Sequence, residues 1–291
     1  MVRFVVGALV ILGVACGPRD PGPTIPIAIR DPAAATDPIN MTDQRLLFRH
    51  SQRILGELIA ALPDDQRARV AGLTLSSDNR LGDVNAFATC DDAGAPMIGI
   101  SDGMITIAAH LAMGTATDEL FETDKAREYL VWLQEHGLDP PPVAFYAAAQ
   151  HTDARKVARQ REVFEEQIAF VLGHELAHHY LGHLSCSPHS EIEDLGQVAA
   201  DNVPAFNQIA ELAADAAATK NLLAAGVART GYTWTEHGAL LVMAAFNRHD
   251  ATTASDVLLA FERTHPLPHL RVPVITLAAE LWYSSGGLLP L

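Results

Sequence analysis

His174 and His178 stand four residues apart in the run His174-Glu175-Leu176-Ala177-His178. On a helix that spacing stacks two rings one turn apart on one face, directed at a common point. Two neutral imidazoles converging there make half of a tetrahedral zinc site, and Glu175 stands beside them on the next row. The chemistry open to such a set is metal-assisted hydrolysis. Two core histidines with a carboxylate next to them are the competing account, since so short a motif also arises by chance, and a third ligand has to decide.

A metzincin spacing would put glycine at 181 and histidine at 184, but the chain has Leu181, Gly182 and His183, one residue out of step. His179 and His183 form their own one-turn pair on a different row and read as loop-facing residues or as supports for the ligands. Glu211 is the better third ligand. In the alanine-rich run from Ala205 to Ala218, a helical period places Asn207, Glu211 and Asp215 on one face and turns Ile209, Leu212 and Ala216 toward another. The alanines let two helices approach closely enough to bring a carboxylate oxygen to roughly 2.0–2.2 Å from an ion held by the histidines. For this fragment alone an exposed acidic face is the alternative. Taken with the histidines that reading weakens, because buried acids without a cation are costly.

These residues need a scaffold, and the pattern around them is mostly helical. Helices are expected from a cap at Thr42 or Asp43 to Ala61, where Pro63 stops the element, and over 118–135, 155–183, 205–225, 235–248, 254–263 and 270–283. In the segment 155–183 one stripe holds Phe164, Ile168, Val171 and Leu172 and another holds Phe170, His174, Ala177, His178 and Leu181. Apolar residues on both sides predict a central, buried helix. Val70–Leu75 reads as a strand. Asn85-Ala86-Phe87-Ala88, Pro96–Ser101 and the apolar stretch Met104–Ala112 read as a small sheet. The fold class is therefore α+β and mainly helical, with a small sheet beside the histidine helix. Ile98-Gly99-Ile100 is expected to form an exposed sheet edge on which an extended peptide could pair its backbone. Gly99 and Gly103 read either as close-approach positions or as turn glycines. Ser185–Val203 reads as a lid over the cleft.

Composition narrows the function classes. A chain of 291 residues, 49% hydrophobic, is long enough to bury a core. Its formal charge of −15, with no basic stripe, argues against a nucleic-acid partner. No Gly-x-Ser-x-Gly, phosphate loop or dinucleotide fingerprint occurs.

The N-terminus reads as an export and anchoring device. The apolar run Phe4–Ala15 is too short to span a bilayer and suits a signal peptide. Val14-Ala15-Cys16-Gly17 resembles the processing and lipidation site of bacterial lipoproteins, which implies removal of residues 1–15, a lipid on Cys16 and, from the glycine after it, an outer-membrane address. Ordinary secretion with an unlipidated cysteine is the alternative. Pro18 to Pro38 holds six prolines and reads as a tether, giving expected divisions of 1–15 signal peptide, 16–40 lipidated tether and 41–291 metallopeptidase domain. No second apolar run approaches 18 residues, so the body is expected to be anchored rather than spanning. Cys90 and Cys186 are the remaining cysteines; in an oxidising compartment they are candidate disulfide partners, with two free buried thiols as the alternative.

Taken in order, these segments resemble the Ste24/HtpX-type (M48-like) gluzincin metallopeptidases, in their soluble, lipoprotein-anchored bacterial branch. Asn85–Ala88 with Ile98–Met104 is similar to that family's edge-strand segment, His174–His178 to its metal helix, Glu211–Asp215 to its third-ligand helix, and Thr264-His265-Pro266 with Arg271 to its C-terminal motif. The resemblance covers roughly residues 45–283. It implies a zincin-like fold and one Zn²⁺ per chain held by His174, His178 and Glu211. Asp215 would support a metal-binding histidine, with Glu175 as the base. His265 would lie near the substrate oxygen, and Arg271 would hold that corner or meet the substrate. His269 has no assigned role. The implied activity is endopeptidase cleavage of unfolded or flexible envelope proteins, and the alternative is a metal-bound scaffold or chaperone lipoprotein with little proteolysis.

Overall fold

The computed structural model describes residues 28–29, 31–80, 82–184, 186, 204–246 and 268–288. In chain order the elements are α1 (Gln44–Ala61), α2 (Asp64–Arg69), β1 (Thr74–Asp78), β2 (Ala86–Cys90), β3 (Pro96–Ser101), α3 (Asp102–Phe121), α4 (Lys125–His136), α5 (Ala148–His151), α6 (Ala154–Tyr180), α7 (Pro204–Val227), α8 (His237–Phe246) and α9 (Pro268–Ser284). Cys16, His265, the expected helix 254–263 and all of the lid segment Ser185–Val203 except Cys186 lie outside the described residues.

The core is organised around α6. Asp153 starts the helix, its Oδ1 accepting from the Arg155 amide at 2.9 Å. Phe164, Ile168, Phe170, Leu172 and Leu176 are all buried, so the helix is wrapped on every side, as the two apolar stripes predict. It packs against α1, α3, α7, α8, β2 and β3. Close approach to its neighbours depends on small residues: a Cβ at Gly238 of α8 would lie 2.4 Å from Glu166, and Gly173 faces Ala218 of α7. Asp43 caps α1, accepting from the Leu46 amide at 3.0 Å.

The sheet corrects one expectation. Its order is β1-β3-β2, with β1 parallel and β2 antiparallel to β3. Ile98, Gly99 and Ile100 therefore lie in the central strand and are not an exposed edge; Ile98 and Ile100 are fully buried. An apolar run marks a strand covered on its faces, but it does not say which strands flank it. Gly99 makes room for a side chain: a Cβ there would come within 2.3 Å of the ring of Phe87, its partner across the β2–β3 ladder. Gly103 likewise sits 2.2 Å, measured from an added Cβ, from the Asp83 carbonyl.

Two helical boundaries also differ. Met104–Ala112, read with the sheet, belongs to α3, which Ser101 caps through a 3.1 Å bond from the Met104 amide. Nearly all of α3 is buried, so it shows no one-sided period, and a continuous apolar run does not separate strand from helix. The helix expected over 118–135 is two helices. Glu122 takes a left-handed conformation at φ 53°, and Asp118 at the end of α3 accepts from the amides of Lys125 and Ala126 at the start of α4.

Residues 31–43, assigned in part to the tether, lie along α5 and α6. Asp37 accepts from Gln160 at 2.8 Å and pairs with Arg161 at 2.6 Å, and Asn40 donates to the His151 carbonyl at 3.1 Å. Packing thus begins upstream of residue 41; proline content alone does not distinguish a free tether from an arm latched by side chains of a later helix. Lys156, fully buried, donates to Asn40 Oδ1 at 3.1 Å and lies 5.4 Å from the centre of the Tyr146 ring. Burial brings its ammonium down to about 7, against the pull of Asp37. The unfolded chain therefore holds more protons than the folded one between pH 7 and the ordinary lysine range, and stability from this group rises with pH by up to about 1.4 kcal/mol per unit. The difference in unfolding free energy between the wild type and Lys156→Met is expected to change with that slope from pH 7 to 9 in denaturant unfolding, since groups common to both proteins cancel in the difference.

Candidate metal centre

Two helices meet at the site. His174 and His178 come from α6, and Glu211 from α7, which the Gly173–Ala218 contact brings alongside. All three are buried. His174 Nε2 lies 3.2 Å from Glu211 Oε2, His178 Nε2 lies 3.3 Å from Glu211 Oε1, and the two Nε2 atoms are 3.2 Å apart. A tetrahedron with ligand atoms about 2.0 Å from its centre has edges of about 3.3 Å. The three separations match that figure, and the donor set of two imidazoles and one carboxylate is one that zinc accepts. The residues present therefore fit a single Zn²⁺, with His174, His178 and Glu211 holding it.

The outward face of His174 is held as well. Its Nδ1 lies 2.9 Å from Oδ1 of Asp215, one turn beyond Glu211 on α7. Arg271, on α9, donates to both oxygens of Asp215, from Nε at 2.8 Å and from Nη2 at 2.6 Å. Asp215 thus reaches His174, the ring that the sequence left open, and Arg271 reaches Asp215. Burial and the guanidinium both favour a neutral His174 ring, but the bonds to Asp215 and Glu211 outweigh them and bring it up to about 9. Burial raises Asp215, yet its bonds to Arg271 and His174 hold it below the usual carboxylate range. A pocket that favours a proton on His174 this strongly favours another cation in its place.

Glu175 is buried at 3% exposure on α6, between the two ligands in sequence. His179 faces away and its Nε2 lies 3.1 Å from the Met97 carbonyl, joining α6 to β3. His183 stands with its Nδ1 3.0 Å from His178 Nδ1. His269 is exposed at the start of α9. Cys90, at the end of β2, is joined to Cys186 by a disulfide with Cα atoms 5.7 Å apart, so of the two alternatives for these cysteines the structure takes the bridge.

Among the described residues, no helix is long and apolar enough to cross a membrane. The family model described as Peptidase family M48 matches residues 52–278, a span that includes every residue of the centre. No curated protein and no solved structure gives a match.

Proposed function

The chain belongs to peptidase family M48, and on that premise we propose that it is a zinc endopeptidase of the Ste24/HtpX type that cleaves unfolded or flexible proteins of a bacterial envelope. The observation that carries the reading is the convergence of His174, His178 and Glu211 from two helices at zinc-like separations, with Glu175 next to the first ligand.

Zinc, when held there, supplies a Lewis acid that lowers the pKa of a water toward neutrality and draws electron density from a carbonyl. Glu175 takes the proton of the attacking water and returns it to the departing amine nitrogen. Asp215 and Arg271 keep the His174 ring in one orientation throughout. His265 would donate to the oxygen on which charge develops. In this reading Cys16 carries a lipid after loss of residues 1–15, which fixes the enzyme to the outer membrane on its periplasmic side.

The edge available for a substrate is β2 rather than β3. Among the described residues it pairs with β3 on one side only, and it packs against α6. The bonds Ser101 N–H to Asn85 O and Asp91 N–H to Ala95 O set the phase of the ladder, so Ala86 and Ala88 turn their amides and carbonyls away from β3. An extended peptide can add there as a further strand. Ala88→Pro removes one such amide. It is expected to lower kcat/KM on a denatured polypeptide roughly 2- to 10-fold, the worth of one backbone bond. An unchanged kcat/KM would take β2 out of the substrate path. Native, compact forms of the same substrate are expected to resist cleavage.

A further inference from the structure

Both ligand imidazoles present Nε2 inward and Nδ1 outward, and the outward atoms have different partners. His174 Nδ1 meets the carboxylate of Asp215, whereas His178 Nδ1 meets the imidazole of His183 at 3.0 Å. We propose that His183 is the positioning residue of His178, accepting a hydrogen bond from its Nδ1–H and so fixing the tautomer whose Nε2 lone pair faces the metal centre. The inference rests on the zinc reading above.

The end of α6 is folded to deliver this contact. Gly182 adopts φ +78°, a left-handed conformation that suits glycine, just past the last helical turn. The Gly182 amide donates to the His179 carbonyl at 3.2 Å and the His183 amide to the His178 carbonyl at 2.9 Å. This pair of bonds is a Schellman stop, which satisfies carbonyls at the helix end and turns the chain back over its own final turn. His183 and His178 are therefore joined twice, by backbone and by side chain, with ring centres 5.0 Å apart and planes at 66°. Three residues further on, the Cys90–Cys186 bridge ties the same segment to β2.

The chemistry follows from counting protons. An imidazole that gives its Nε2 lone pair to a cation keeps its one proton on Nδ1, which then needs an acceptor. The lone pair on His183 Nδ1 supplies it, with the His183 proton on Nε2. Partners of this kind orient ligands and tune metal affinity, and their loss costs about 10- to 100-fold in binding.

The test compares His183→Leu and His183→Asn with the wild type in three measurements: the Zn²⁺ dissociation constant by chelator competition, the absorption spectrum of the Co²⁺-loaded protein, and the unfolding midpoint of the metal-free protein. Asparagine keeps an acceptor oxygen near the position of Nδ1 and leucine does not. The leucine variant is expected to bind zinc about 10- to 100-fold more weakly, with a changed Co²⁺ spectrum and a metal-free midpoint close to wild type. The asparagine variant is expected to recover most of the affinity. Equal affinity and spectrum in the leucine variant, or asparagine as weak as leucine, would overturn the proposal. Should the leucine variant fail to fold, the asparagine variant decides alone: affinity within roughly 3-fold of wild type supports the proposal and a loss beyond about 10-fold overturns it. A wild type that takes up no zinc would overturn the zinc reading itself, and this inference with it.

Discussion

Glu175→Gln at full zinc loading is expected to lose cleavage of a denatured polypeptide by at least about 100- to 10,000-fold, the range that a positioned acid–base group contributes. The substitution keeps the size and burial of the side chain, so zinc content and unfolding midpoint should stay near wild type. Three residues suffice to hold the ion, and a purely structural site has no use for a base beside them. Comparable activity in the two proteins would point to another base. Negligible cleavage by both, at equal metal content and with denatured substrates, would favour the scaffold reading of the same fold.

Asp215→Ala carries the second large effect. Arg271 is 1% exposed and Asp215 is fully buried, so removing the carboxylate takes from a buried guanidinium the acid it is hydrogen-bonded to. Breaking a buried pair from one side costs about 3–5 kcal/mol. His174 loses its acceptor at the same time, which should weaken zinc binding about 10- to 100-fold. Arg271→Met in the same background separates the two effects: stability is expected to return in part, because the stranded charge is gone, while zinc affinity stays low. Full recovery of affinity would mean that Asp215 acts only through Arg271. The sign with pH follows from the lowered Asp215 pKa. The stability that the carboxylate contributes is present above its ordinary value of 3.8 and is lost as pH falls through the lower value of the folded state.

Much of the centre is legible in the sequence, because helical spacing constrains it. Four-residue steps place His174 over His178 and Glu211 over Asp215, and small residues mark where α6 and α7 approach. What the sequence leaves out depends on contacts distant along the chain. Ile98-Gly99-Ile100 is apolar because β3 is covered, but which strands flank it is decided by residues 74–78 and 86–90. The twenty residues of α3 have no polar face to give them a helical period. The arm at 31–43 has the composition of a tether, and it is contacts with side chains of α6, Gln160 and Arg161 to Asp37 and Lys156 to Asn40, that place it there. His183 falls one residue outside the metzincin spacing, yet Gly182 before it is the residue type that stops a helix and turns the chain back on His178.

Every proposed step depends on one zinc ion held between α6 and α7 by His174, His178 and Glu211. A crystal structure of the zinc-loaded protein, with anomalous scattering recorded on both sides of the zinc edge, tests it most directly. One strong zinc peak per chain is expected, about 2.0–2.2 Å from the two Nε2 atoms and a Glu211 oxygen. A peak elsewhere, or a Glu211 carboxylate turned away from an ion bound by the histidines, would contradict it.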